Sequence, residues 1–470
     1  MYWRKRLLSR RWYSICGLMV FGPLILALAL LVVANLLLQL LLSSQPPQWA
    51  APFTMHRAAV SHLDTSGRYK VLPFAVVGED WANVTLHPVC LATHASLGAV
   101  SDLLETLNSW AGPASVTVFD SDPSLEGAAR FLRLIKQCGP RAFPLVSFHV
   151  IGPVGVERWR WTNSSVPSHW WLGGTEDWVG AGDDWCRGET RGRQVKAEKQ
   201  QVKNETVYPQ NLARNTALRS CGSPWVLTVD ADMVPPPSLR RRLGDFLQRH
   251  TGEAEGRRAY VVPTYEVMRL NGSTGLPPDT KADLLKLKKE KKARPFHIKI
   301  FKPNQGASNL VKWEARKAAN GSGEEEISVA YSVGHFPFWY EPVYVVRPTS
   351  GDLPPFDERF VGFGMTRNTQ AYEMVLRGYT FEVLDNAFLV HWGFQEFKQR
   401  PKWRTKQVQR NYQFFKKWLL EKAAQYDADP ENLIQRMAGD QSKRNVVVQR
   451  RMEPRVTTKK ANGQKTSVTT

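Results

Sequence analysis

Two aspartates separated by one alanine, Asp230 and Asp232, interrupt the stretch WVLTVDADMVPP at residues 225–236. The apolar and β-branched residues before them and the prolines after them read as a short buried strand. Side chains alternate across a strand, which predicts that both carboxylates project from the same side. Carboxylates held that close repel each other unless a cation or a proton lies between them. An oxygen-rich pair at a strand end points to Mg²⁺ or Mn²⁺, because hard ions favour carboxylate, water and phosphate ligands. Asp-x-Asp alone is a common pattern, so the elements around it must decide.

From about residue 71 the chain alternates strands and helices. CLATHAS ends an apolar strand, SDLLETLNSWAG has helical spacing, and ASVTVFDSD is a strand ending in acids. EGAARFLRLIKQCG is again helical and FPLVSFHVIG again a strand. Such alternation predicts parallel βαβ units and a doubly wound α/β sheet, which binds ligands at the carboxyl ends of its strands. The acids of FDSD and VDADM both fall there. YPQNLARNTALRS (208–220) predicts a helix opening after Pro209, with Asn211, Arg214 and Asn215 on one face. From spacing alone that face reads first as solvated, and second as a phosphate or sugar contact. LKLKKEKKAR (285–294) has the same two readings, and residues 399–438 predict a charged, aromatic-rich helix across the back of the fold.

The ends of the 470-residue chain are different. No charged residue occurs from Trp12 to Met55, and Gly17 to Leu42 is almost wholly apolar. Roughly 20 such residues span a bilayer as a helix. The stretch is too long for the apolar region of a cleaved signal peptide. Arg4, Lys5, Arg6, Arg10 and Arg11 precede it, which leaves the N-terminus cytosolic and everything downstream lumenal. The sequons at Asn83, Asn163, Asn204, Asn271 and Asn320 agree with a lumenal segment. Cys90, Cys138, Cys186 and Cys221 form an even set suited to one or two disulfides, with all three pairings open. The expected organisation is a cytosolic tail (1–16), a signal anchor (17–42), a stem (43–70), a catalytic domain (71–440) and a basic tail (441–470). The two end segments, 1–11 and 442–470, carry +5 and +7 of the net charge of +20. The basic balance therefore says little about the catalytic domain, and a lumenal chain has no nucleic-acid partner. Anionic glycans or lipid head groups suit a basic surface better.

Six blocks, in order, resemble the glucuronyltransferases of the beta-1,4-glucuronyltransferase 1 type, which share a domain with the LARGE xylosyl/glucuronyltransferases. They are LATHAS, YPQNLARN (208–215), VLTVDADMVP (226–235), RPFH (294–297) followed by Gln305, Asn309 and Trp313, FDERFVGFGMTRN (356–368), and VLDNAFLVHWGF (383–394). The resemblance runs from about residue 89 to 415. It implies a GT-A (Rossmann-like) domain, a divalent cation, a UDP-sugar donor and the type II Golgi topology read above. It makes His391 the third metal ligand beside Asp230 and Asp232. It puts Thr93, His94 and Asp120 at the nucleotide end of the sheet, and promotes Asn211, Arg214 and Asn215 to donor contacts. Trp392 becomes the aromatic face for an acceptor pyranose.

The family inverts the anomeric centre, so an acceptor hydroxyl must lose its proton to a base. Related inverting galactosyltransferases carry acids just after a Gly-aromatic-Gly motif, whereas Gly362-Phe363-Gly364 is followed here by Met365, Thr366 and Arg367. The family commonly has Asn where Thr366 stands. Asp357 and Glu358 are then the expected bases, with capping of the following turn as their other reading. The resemblance implies a glucuronate transfer onto terminal xylose in β-1,4 linkage on dystroglycan-type O-mannosyl glycans. A complex with LARGE-type enzymes would follow by analogy. The rival readings are a β-1,3-glucuronyl- or N-acetylglucosaminyltransferase and an inactive glycan-binding homologue.

Overall fold

VCLATHAS is buried at every position except its last, as a strand covered on both faces must be. It forms the centre of the computed structural model, which describes residues 30–35, 61–137, 143–154, 207–250, 257–269, 276–316, 326–348, 353–396 and 402–428. The strands are β1 (His62–Leu63), β2 (Tyr69–Val77), β3 (Val89–Ser96), β4 (Ala114–Phe119), β5 (Val146–Pro153), β6 (Trp225–Thr228), β7 (Met233–Val234), β8 (Arg258–Val261), β9 (Thr264–Val267), β10 (Ala293–Pro295), β11 (Ser328–Ser332), β12 (Tyr344–Val346), β13 (Thr380–Asp385) and β14 (Leu389–Trp392). The helices are α1 (Val100–Trp110), α2 (Glu126–Gln137), α3 (Gln210–Ser220), α4 (Leu239–Arg249), α5 (Lys281–Lys289), α6 (Leu310–Ala315), α7 (Arg367–Leu376) and α8 (Lys402–Tyr426).

Ten strands form one sheet in the order β1-β2-β5-β4-β3-β6-β12-β8-β13-β11. The central run β5-β4-β3-β6 is parallel throughout, as the alternation of strands and helices predicts. The rest of the sheet is mixed. Strand β12 lies antiparallel between β6 and β8, so the α4 crossover skips one position and a later strand fills it. The sheet is therefore α/β but not parallel from edge to edge. Helices α1, α2 and α4 cover the parallel half through Leu103, Leu107, Phe131, Leu132, Leu243 and Phe246, all within one core with β3 and β4.

A second sheet of four short strands runs β10-β9-β14-β7. It carries the local geometry of the site. Strand β7 begins immediately after Asp232, and β14 pairs with it so that His391 stands opposite Met233. On its other side β14 runs parallel to β9, with His391 opposite Glu266.

Helix α8 packs Phe415, Trp418 and Leu419 against Phe338, Phe360, Met365 and Tyr372. Its Asn411 amide donates to the carbonyls of Val361, Phe363 and Gly364 and so clamps the Gly362-Phe363-Gly364 turn. Gly362 and Gly364 adopt φ of 78° and 91°, and a Cβ on Gly362 would meet Gln407 Oε1 at 2.5 Å. Lys281 opens α5 inward rather than toward water. Its ammonium, buried with Asp385 at 2.6 Å, also reaches the carbonyls of Trp313 and Arg316.

The chain divides into two units, Met1–His56 and Arg57–Thr470. In the first, only residues 30–35 of the expected anchor are described, as helix. Among the described residues no helix is long and apolar enough to cross a membrane. In the second, β1 and the start of β2 fall inside the stretch read as stem, because His62 pairs with Val71. Cys90 is joined to Cys221, whereas Cys138 and Cys186 lie outside the described residues. The bond ties β3 to the end of α3. Asn83 is exposed in a turn of 3₁₀ helix, while Asn163, Asn204, Asn271 and Asn320 are outside the described residues.

Candidate active site

The two aspartates do not lie on a strand. Strand β6 ends at Thr228, and the Met233 N–H donates to the Asp230 carbonyl at 3.0 Å. A β-turn thus carries both side chains, and the alternation argument does not apply. The turn gives them different surroundings.

Asp230 Oδ1 receives Arg214 Nη2 and Arg367 Nη2, each at 2.9 Å, and lies 3.2 Å from His94 Nε2. Arg214 comes from α3 and Arg367 from the first turn of α7, and both are buried. His94, at the end of β3, also meets the Tyr208 hydroxyl through Nδ1 at 2.5 Å. Burial alone would push the Asp230 pKa up. The two guanidiniums and His94 outweigh it and hold the carboxyl well below the usual range. Burial lowers the pKa of His94 against the opposing pull of Asp230, so the imidazole is neutral and hydrogen-bonds the carboxylate without adding charge.

Asp232 has no such cage. His391 Nε2 stands 3.5 Å from its Oδ2, and its Oδ1 is buried with no hydrogen-bond partner. Burial works against a charged His391, but the hydrogen bond to Asp232 and its charge raise the imidazole pKa overall. The Gln395 amide lies 3.1 Å from His391 Nε2. Helix α1 adds two more acids on this side. Asp102 has its pKa raised by burial and then by the charges of Asp232 and Glu105. Glu105 accepts from Trp392 Nε1 at 2.7 Å and pairs with Arg269, which also lies over the indole ring. Trp392 lines a cavity of about 340 Å³ together with Met268, Leu276, Leu287, Asp283 and Lys286.

Of the three expected ligands, then, Asp232 and His391 stand together and Asp230 is turned toward arginines. Among the described residues no three His, Cys, Asp or Glu side chains already converge as a cation cage. The residues nonetheless fit a divalent ion. An orphaned buried carboxylate oxygen beside an imidazole nitrogen, in an acid-rich setting, supplies part of a coordination sphere that phosphate and water can complete.

The other expected residues have specific places. The amide of Asn211 donates to the carbonyls of Asp357 and Thr366, at 2.8 and 3.3 Å. Asn215 exchanges hydrogen bonds with the backbone of Phe356 and donates to Glu358 Oε1 at 2.7 Å. The face of α3 that spacing alone reads as solvated is therefore buried, because it staples the 356–366 loop. Arg214 alone of the three reaches Asp230. Asp120 accepts from the Asp122 N–H through Oδ1, closing a local turn, and from the Ala128 N–H through Oδ2, which caps the first turn of α2. Thr93 is buried in the middle of β3, three residues short of its end, with its hydroxyl unpartnered. Asp357 is clamped by Arg359 through both oxygens, and Glu358 also faces Arg219 at 3.8 Å. Arg367, Tyr208, Asp102 and Glu105 went unread in the sequence. The first two lie inside matching blocks, but nothing local marks Asp102 or Glu105 within an ordinary amphipathic helix.

Comparison with known proteins gives the family. The family described as glycosyl-transferase for dystroglycan matches residues 88–427. The Bos taurus beta-1,4-glucuronyltransferase 1 is 31% identical over 378 residues, covering 79% of this chain and 82% of its own. The Danio rerio xylosyl- and glucuronyltransferase LARGE2s is 29% identical over 211 residues, covering 43% of this chain and 25% of its own. Among solved structures, GalNAc-T7 with UDP, GalNAc and Mn²⁺ covers 69% of this chain and 47% of its own at 9% identity, with a TM-score of 0.34 that is too low to carry an argument. The chain belongs to the family described as glycosyl-transferase for dystroglycan, and it is a glycosyltransferase.

Proposed function

We propose that this enzyme transfers glucuronate from UDP-glucuronate to a terminal xylose, with inversion, forming a β-1,4 linkage on dystroglycan-type O-mannosyl glycans. The donor and acceptor rest on the named relatives, which align over most of both chains. The structural observation that carries the reading is Asp232, whose buried Oδ1 lacks a partner beside His391. Asp232 and His391 would hold Mn²⁺, with Asp230 behind them. The ion supplies a counter-charge for the diphosphate as the UDP leaving group departs.

The chain's own residues do the rest. Arg214 and Arg367 fix the Asp230 carboxylate and keep the turn of residues 230–233 in place. The GT-A assignment is part of this proposal, with the parallel half of the sheet as nucleotide end. Trp392 offers the face on which an acceptor pyranose would stack beside His391. The Cys90–Cys221 disulfide supports an oxidising, lumenal setting, and with the apolar N-terminal stretch it favours a type II Golgi membrane protein.

The test is UDP release from a panel of UDP-sugars with a β-xyloside acceptor, in Mn²⁺ and in EDTA. Turnover with UDP-glucuronate that EDTA abolishes is expected. Turnover with UDP-N-acetylglucosamine instead would replace the donor, and EDTA-resistant turnover would remove the metal.

A further inference from the structure

An inverting transfer needs a carboxylate with a free oxygen, close to the donor and not neutralised by a cation. Asp357 does not meet this description. Arg359 approaches Oδ1 through Nε at 2.9 Å and Oδ2 through Nη2 at 2.7 Å. Glu358 gives Oε1 to Asn215 and faces the exposed guanidinium of Arg219 on the last turn of α3.

A third acid does. Glu341 lies in the loop between β11 and β12, which is held against the site from two directions. On one side its N–H donates to the Asn304 carbonyl at 2.9 Å, and Gln305 Nε2 donates to its own carbonyl at 2.9 Å. On the other, Phe338 of the same loop accepts from Asn368, the neighbour of the Arg367 that grips Asp230. The carboxyl receives one neutral donor, Asn304 Nδ2 on Oε2 at 2.5 Å. Among the described residues nothing donates to Oε1, and no lysine or arginine forms an ion pair with Glu341. Its charged neighbours are Arg367, Arg214 and Asp230, the cluster on the other side of the same turn as Asp232, all within electrostatic reach.

We infer that Glu341 is the catalytic base, taking the acceptor hydroxyl's proton on Oε1 as that oxygen attacks the anomeric carbon of the nucleotide-sugar. The inference rests on the inverting reading above. One bond forms, from the acceptor oxygen to the anomeric carbon, and one breaks, from that carbon to the diphosphate. The leaving electron pair goes to UDP and the proton to Glu341. Asn304 aims the carboxyl without neutralising it. Burial raises the proton affinity of Glu341, and Asn304, Arg367 and Arg214 offset this in part. A carboxylate so placed is a stronger base than an exposed glutamate. Nothing local in the sequence marks Glu341, which directly follows the aromatic run FPFWY (336–340).

The full chain carrying Glu341→Gln tests this. The expected result is a fall in kcat of about 100- to 10,000-fold with UDP affinity and thermal midpoint unchanged. Glu341→Asp, which keeps the carboxyl, should retain part of the rate. The acid limb of the wild-type kcat/KM profile should lie above the ordinary glutamate range and vanish from the residual rate of Glu341→Gln. Retention of kcat within about threefold, far below the loss expected of a missing base, would overturn the inference. So would loss of UDP binding in step with turnover, which marks a structural residue, or a loss confined to Asp357→Asn or Glu358→Gln. The two readings fail separately. Wild-type turnover with a different UDP-sugar changes the functional reading and leaves the Glu341 comparison intact, whereas a wild type silent with every donor overturns both.

Discussion

Asp230 and Asp232 share one turn and differ in almost everything else. The side of Asp230 is already neutralised by Arg214 and Arg367 with a neutral His94 beneath. The side of Asp232 gathers further acids, Asp102 and Glu105, and leaves a buried oxygen unpartnered beside His391. On one side a single carboxylate oxygen already meets two arginines and a histidine. The other keeps a carboxylate oxygen without a partner, although Arg269 already pairs with Glu105. Under the proposed function, the Asp-x-Asp pattern, read as two equal ligands, divides into a structural aspartate and a metal-facing one.

The largest effect should come from the ligand side. Asp232→Asn and His391→Ala are each expected to lower kcat by about 1,000-fold or more while leaving the thermal midpoint nearly unchanged. Steady-state UDP release and calorimetry on the same samples check both halves. Asp230→Asn should behave differently, because it leaves two buried guanidiniums without their counter-charge. Its expected cost is about 1–3 kcal/mol of stability, below that of a fully buried pair because the Asp230 side chain is 37% exposed, read by denaturant unfolding, in addition to lost turnover. Equal stability losses in Asp230→Asn and Asp232→Asn would erase the distinction.

The disulfide props up the Asp230 side alone, since it joins the β3 that carries His94 to the α3 that carries Arg214. Cys90→Ala with Cys221→Ala is expected to cost about 2–5 kcal/mol, measured by unfolding under non-reducing conditions. A histidine away from both aspartates separates general acid sensitivity from the site. Burial lowers the pKa of His149 to about 3, and its ring accepts from Phe74 N–H at 2.7 Å. The unfolded chain therefore takes up a proton below about 6.5 that the fold refuses until about 3. His149 should withdraw about 1.4 kcal/mol of stability per pH unit across that window as pH falls. Denaturant unfolding at pH 7, 6 and 5, compared with His149→Gln, checks the slope. The smallest effect is expected at the acceptor. Trp392→Ala should raise the acceptor KM by about tenfold and leave the donor KM unchanged, consistent with one lost stacking contact.

The parallel half of the fold was legible because its strands are long enough to show a pattern. VCLATHAS, ASVTVF and the apolar run to Pro153 are 6–8 residues each and alternate with amphipathic helices. The small sheet was not, since β7, β9, β10 and β14 have two to four residues, too short for any period. That sheet is what sets His391 beside Asp232, so their proximity came from the family resemblance and not from spacing. Asn211 and Asn215 show a second limit. Their facing on α3 could be read, but their partners lie more than 140 residues away in the 356–366 loop. Asp120 shows a third, because an acid at a strand end serves equally as ligand or as cap, and here one oxygen closes a turn at Asp122 and the other caps α2.

The central claim is that Asp232 and His391, and not the Asp230 cluster, face the metal. Pulsed electron paramagnetic resonance of Mn²⁺–UDP bound to the protein tests it most directly. The account predicts phosphorus coupling from UDP together with nitrogen coupling from one imidazole, the nitrogen signal vanishing in His391→Ala and surviving in His94→Gln. Nitrogen coupling that disappears with His94 and persists without His391, or Mn²⁺–UDP bound with no imidazole signal at all, would contradict it.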